Sequence, residues 1–161
     1  MQTSLGIALI CAGAVAGISS ARAESAERIA NIRKAASEIA AVVSTKGAKE
    51  TLAGIVDCYR RELAVAKSLT PNLETCMTQD IVVSKISAAF YSKIGKAGRK
   101  VLRSPDPQAV MDAMQQRVNV TLQKFSMSER AAQELDQLVE KYGIEAYRKA
   151  ERSSQLPGQK K

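Results

Sequence analysis

Every long segment of this chain repeats its apolar residues with the period of an α-helix, and none alternates them with the period of a strand. Ile29, Ile32, Ala36, Ile39 and Val43 are spaced 3, 4, 3 and 4 apart, which lines them along one stripe of a helix turning every 3.6 residues. Leu52, Ile55, Tyr59 and Leu63 form a second stripe. Leu73, Met77, Ile81, Ile86, Phe90 and Ile94 form a third, Val110, Met114, Val118, Leu122 and Phe125 a fourth, and Leu135, Leu138 and Tyr142 a fifth. The punctuation between stripes is that of helix ends. Ser44-Thr45-Lys46-Gly47 stops the first helix, expected over Ser25–Val43, with Gly47 suited to the position after a C-cap. Thr70 and Asp106 can cap the helices that follow, with Pro71 and Pro107 at their first positions. Ser126 and Glu129 have the S-x-x-E spacing of a capping box and open the last helix, expected to end near Arg152. The predicted fold class is all-α, a bundle of four or five helices.

The N-terminus sets the compartment. Leu5 to Ile18 is a run of 14 uncharged apolar or small residues, too short to span a bilayer, which takes about 20. Ala21-Arg22-Ala23 follows as an A-x-A site, so residues 1–23 read as a secretory signal peptide cleaved before Glu24. The n-region carries no Lys or Arg, which is off pattern, and the alternatives are an uncleaved anchor or a buried N-terminal helix. Three glycines, Gly6, Gly13 and Gly17, weaken the last of these. Cys11 is unsuited to lipid attachment because Ile10 precedes it where a small residue is needed. Removing 23 of the 161 residues leaves 138, enough for one domain, expected over residues 24–152. Residues 153–161, with Pro157, Gly158 and two terminal lysines, read as a disordered basic tail. Arg22 is the one charge in the signal, so the net charge of +8 becomes +7 on cleavage. The expected location is the periplasm or outside the cell, with no integral membrane segment after cleavage.

Cleavage also removes Cys11 and leaves Cys58 and Cys76 as a pair in an oxidising compartment. A disulfide between them is predicted, linking the second and third helices. The bridge requires Cα atoms about 5.5–6 Å apart. Either the second helix ends early, near Leu63, or residues 69–75 fold back along it. The early end is the favoured arrangement.

The chain has no histidine. Ser-His-Asp and Cys-His catalysis and the H-E-x-x-H zinc site are therefore excluded together. No cofactor or metal site is expected. A carboxylate-dependent envelope hydrolase remains as an alternative, built from Asp57, Glu62, Glu74 and Asp80 if these line one cleft near the disulfide. Gly95-Lys96-Ala97-Gly98 has the wrong spacing for a P-loop. It has the G-x-x-G spacing of a nucleic-acid-backbone clamp, but such a clamp needs strands around it, so nucleic acid is not the expected partner. The basic run around these glycines is the more informative feature. No acidic residue lies between Asp80 and Asp106. If helix persists through both glycines, Lys93, Lys96, Lys100 and Arg103 share one face, with Arg99 beside them, and this stripe suits an anionic partner.

The sequence thus points to an exported, non-enzymatic helical protein that binds an acidic protein or an anionic envelope component through Lys93, Lys96, Arg99, Lys100 and Arg103. The alternatives are the carboxylate hydrolase and a secreted effector. Oligomeric state is not fixed by the sequence.

Overall fold

The computed structural model describes the backbone of residues 16–154 and the side chains of residues 26–154. Residues 1–15 of the expected signal peptide and residues 155–161 of the expected tail lie outside the described residues. Within them the chain is an all-α bundle with no strand: α1 (Ala16–Val65), α2 (Pro71–Leu102), α3 (Pro107–Lys124), α4 (Glu129–Leu138), a π-helical turn (Val139–Gly143) and α5 (Ile144–Ser154). Helix α1 packs against α2 and α5, α2 against α3, and α3 against α4.

The first two predicted helices form a single element, α1, broken at Gly47. There φ is 79° and ψ is 166°, a combination open essentially to glycine alone. Both halves contribute to one core. Ile32, Ala36 and Ile39 from the first half and Ile55 and Tyr59 from the second are buried with Leu73, Met77 and Ile81 of α2. Val110, Met114, Val118 and Leu122 of α3 are buried as their spacing predicts. Thr70 accepts a hydrogen bond from the Leu73 amide at 3.2 Å, and Asp106 accepts one from the Gln108 amide at 2.9 Å, so both predicted N-caps form.

The Cys58–Cys76 disulfide staples the second half of α1 to α2, with Cα atoms 5.8 Å apart. Helix α1 stops at Val65, two residues past the favoured early end, and residues 66–70 turn the chain into α2. Lys124 of α3 donates to the Leu63 carbonyl at 2.7 Å, satisfying one of the acceptors that a helix C-terminus leaves open.

Three local expectations are corrected. The capping box does not form. Ser126 has φ of 56° and belongs to the end of α3, where its amide donates to the Gln123 carbonyl at 2.9 Å and the Met127 amide to the Leu122 carbonyl at 3.0 Å. These two bonds are a Schellman motif with serine at the left-handed position, so Ser128 becomes the N-cap of α4. Tyr142, expected inward, is only partly buried, while Gly143, Ile144 and Tyr147 face the core. The π-helical turn inserts one residue, which rotates everything after Val139 relative to an unbroken α-helix. Phe90, also expected inward, is 49% exposed.

Candidate binding surface

The predicted partner-binding residues fall on the last turns of α2. Asp80 to Ser84, Ser87 and Ala88 are the last buried residues of this helix; from Ala89 to Ala109 none is buried, and burial resumes at Val110. The end of α2 and the α2–α3 turn therefore form a tip that projects from the core.

Gly95 breaks the helix at the base of this tip, with φ of 67° and ψ of −178°. The continuous stripe of four cations is thereby corrected: Lys93 precedes the break and is out of phase with the cations after it. Lys96 and Lys100, one turn apart, share a face of the segment that follows. Arg103 ends the helix in a left-handed conformation, φ 48°. Lys93, Lys96, Lys100 and Arg103 are all exposed, and none pairs with a carboxylate among the described residues.

Arg99 differs from the other four. Its side chain is 19% exposed. It donates to the Tyr91 carbonyl at 3.2 Å, on the other side of the Gly95 break, and to the Asp106 carboxylate at 3.3 Å. Asp106 is the N-cap of α3. Arg99 thus ties the two sides of the break to the start of the next helix. Two large apolar residues accompany the cations: Val101 is 81% exposed and Leu102 56%. An open groove of about 440 Å³ at the base of the tip is lined by Val83, Ser87, Phe90, Tyr91, Ser104 and Tyr147, among others. The Ser87 hydroxyl is buried and has no hydrogen-bond partner among the described residues.

The carboxylates proposed for hydrolysis are not brought together. Asp57 pairs with Arg60 at 2.8 Å on the surface of α1, and Glu62 is half-buried further along the same helix. Glu74 pairs with Arg28, which also reaches Glu134 of α4 at 3.3 Å. Asp80 is completely buried. Its oxygens accept from Arg117 Nε at 2.8 Å and from a terminal guanidinium nitrogen at 2.7 Å, and from the Tyr59 and Ser84 hydroxyls, each at 3.2 Å. Four donors leave Asp80 no oxygen face open to a substrate. Hydrogen bonding to Asp80 raises the Arg117 pKa above its ordinary value, against the opposing effect of burial. Burial, reinforced by the Asp80 charge and hydrogen bond, pushes the Tyr59 hydroxyl far above the usual phenol range. This cluster joins α1, α2 and α3 one residue from the disulfide.

The sequence signal for that cluster was present. Asp80 falls in phase with the apolar stripe of α2, between Met77 and Ser84, and Arg117 falls beside Val118 on the stripe of α3. Opposite charges at inward positions of two helices are the mark of a buried pair. Lys85 makes a related link on the surface, to Asp136 at 3.0 Å and Glu140 at 2.9 Å.

Among the described residues no helix is long and apolar enough to cross a membrane, and no group of three or more His, Cys, Asp or Glu side chains is arranged to hold a metal ion. Comparisons with protein-family models, curated proteins and solved structures find no match.

Proposed function

We propose that this chain is an exported, non-enzymatic helical protein that binds an anionic partner through the tip of α2. The observation that carries the proposal is the set of four exposed cations, Lys93, Lys96, Lys100 and Arg103, without carboxylate partners among the described residues. The interval between Asp80 and Asp106 contains no acidic residue to neutralise them. Lys85 and Arg99, the other cations of that interval, are engaged by carboxylates within the fold. The tip therefore presents uncompensated positive charge, which attracts anions over about a Debye length, roughly 8 Å at physiological salt. Export is supported by the signal-like N-terminus and by the cysteine pair at bridging distance.

Charge reversal tests the surface. Lys96→Glu with Lys100→Glu changes two exposed residues and leaves Arg99 in its bonds. The double variant should lose salt-sensitive retention on an anionic resin while keeping the wild-type helical content and disulfide. Unchanged retention would remove the tip as the contact surface. Mass spectrometry of the chain isolated from the envelope tests export, with Glu24 as the expected first residue. A chain that still begins at Met1 would contradict it.

A further inference from the structure

We infer that the anionic partner is a lipid bilayer surface, and that the segment Lys96–Leu102 lies in its interface. The inference rests on the proposal above that the α2 tip is the contact surface, and it identifies what that surface contacts. It is carried by the two kinds of side chain that the tip exposes together. In a surface helix the apolar side normally turns to the core and the charged side to water. After the Gly95 break both sides face solvent. Lys96 and Lys100 lie on one, and Val101 and Leu102, displaced from them by the helical rotation of about 100° per residue, lie away from it. Val101 is 81% exposed and Leu102 56%. None of the residues from Ala89 to Ala109 is buried, and among the described residues nothing covers the side chains of Lys96, Lys100, Val101 and Leu102, all of which are exposed.

A free polyanion would be recognised by the cations alone and would leave Val101 and Leu102 in water, and an acidic protein would cover them only with an apolar patch set at the matching place among its carboxylates. An anionic bilayer satisfies both. Its acyl boundary takes the apolar side chains, and its headgroups pair with ammonium groups held on flexible stems that extend back toward the phosphates. Each cation near such a surface and each buried apolar side chain strengthens binding, and a segment this short needs both contributions for measurable affinity. The Gly95 break sets the segment at an angle to the body of α2, and Arg99 holds that angle through Tyr91 and Asp106. Among the described residues no helix is long and apolar enough to cross a membrane, and the contact inferred here is interfacial.

Vesicle co-sedimentation decides the matter. All variants are expressed from the full-length sequence, so that the N-terminal segment, processed or not, is common to each. The probes are vesicles of equal parts phosphatidylcholine and phosphatidylglycerol and vesicles of phosphatidylcholine alone. The wild-type chain should sediment with the anionic vesicles, weaken as salt rises, and bind the neutral ones far less. Val101→Ser with Leu102→Ser should reduce partition into anionic vesicles about tenfold while leaving retention on an anionic resin unchanged. Lys96→Glu with Lys100→Glu should lose both. Equal vesicle binding by the wild type and the Val101→Ser/Leu102→Ser variant would overturn the inference. So would a dimer in solution that the same variant dissolves, which would assign the apolar side to a second copy of the chain. Salt-sensitive resin retention without any vesicle binding would defeat the lipid assignment and leave the anionic-partner proposal standing. Resin retention that survives Lys96→Glu/Lys100→Glu would defeat that proposal itself.

Discussion

Asp80 of α2 and Arg117 of α3 form an ion pair in which the carboxylate is dry and the guanidinium side chain is part-exposed. A buried carboxylate is stable only when its desolvation is offset by donors, and Asp80 has four of them. Arg117 remains 29% exposed along its side chain, so the guanidinium keeps some hydration while the carboxylate keeps none. Removing the cation is therefore the more damaging change. Arg117→Met should lower the unfolding free energy by about 3 kcal/mol, because it leaves a dry charge held by two hydroxyls. Asp80→Asn should cost less, since it leaves a guanidinium that can reach water. Combining the two should cost less than the sum of the singles, a coupling measurable by urea denaturation; strictly additive losses would mean that the pair contributes nothing as a pair. The neighbouring hydroxyl brings a pH dependence. Burial and the Asp80 charge raise the folded-state pKa of Tyr59 above the free-chain value of about 10. The folded chain then keeps a proton that the unfolded chain releases, so this stability is intact below pH 10 and is lost as pH rises beyond it. Lys85 acts in the same direction: burial pulls its pKa down, but hydrogen bonds to Glu140 and Asp136 outweigh that effect and raise it. Tyr147, raised by burial and by Glu151, adds to the alkaline loss. Tyr59→Phe should remove one proton's share of the slope above pH 10, about 1.4 kcal/mol per pH unit, when stability is followed by denaturant titration from neutral to alkaline pH.

At the level of elements, residues at positive φ decide where helices break and end: Gly47 and Gly95 inside α1 and α2, Arg103 at the end of α2 and Ser126 at the end of α3. Gly47 and Gly95 both take a φ and ψ that an L side chain resists. At Gly95 a Cβ would meet nothing within 4 Å, so substitution there tests conformation alone. Gly95→Ala should destabilise the chain by about 1–3 kcal/mol or straighten α2. Either result would be visible as a loss of the Arg99 contacts by NMR, with the core residues Ile81 and Met114 undisturbed. The legibility of the elements followed the same physics. Thr70, Pro71, Asp106 and Pro107 act through side-chain hydrogen bonding and a fixed φ, properties that belong to the residue itself, and their positions were readable directly. Ser126 was not readable in this way. It fits a capping box by spacing, yet the carbonyls of Leu122 and Gln123 claim the amides of Met127 and Ser126 first, and only the packed end of α3 reveals that competition. Tyr142 was misplaced for a related reason. Gly143 sits in a close crossing, where a Cβ would come within 3.1 Å of Val139, 3.4 Å of Val82 and 3.5 Å of Ile32. The π-helical turn, by inserting one residue, is what brings this glycine to the crossing in place of the tyrosine, and no periodicity within one helix shows where a neighbouring helix passes.

Across the whole molecule, one covalent bond links the fold to the compartment. The stripes and caps were enough to read an all-α bundle, and the cysteine pair was enough to place one cross-link, because both depend on residue type and spacing. The tip was legible as charge but not as shape: its cations are visible in the sequence, whereas their division by Gly95, the internal use of Arg99 and the exposure of Val101 and Leu102 depend on where the core stops. The disulfide joins residues 18 apart, and closing a loop of that size restricts the unfolded chain by about 3 kcal/mol. Folded domains of this size are stable by only about 5–15 kcal/mol, so the bridge supplies a large share of the total. It also fixes the register between α1 and α2 beside the Tyr59–Asp80 contact, which places the cross-link and the buried ion pair in the same stretch of the α1–α2 packing. Cys58→Ala with Cys76→Ala, compared with the oxidised wild type, should lower the unfolding free energy by about 3 kcal/mol. The wild type with reductant present should approach the double variant, and the double variant should not respond to reductant at all. A chain obtained from a reducing compartment should then show the lower stability until it is oxidised, and one isolated from the envelope should show the higher value at once. If the two preparations have equal stability and both cysteines of the envelope form alkylate freely, the cross-link is not the native state and the case for export loses its structural support.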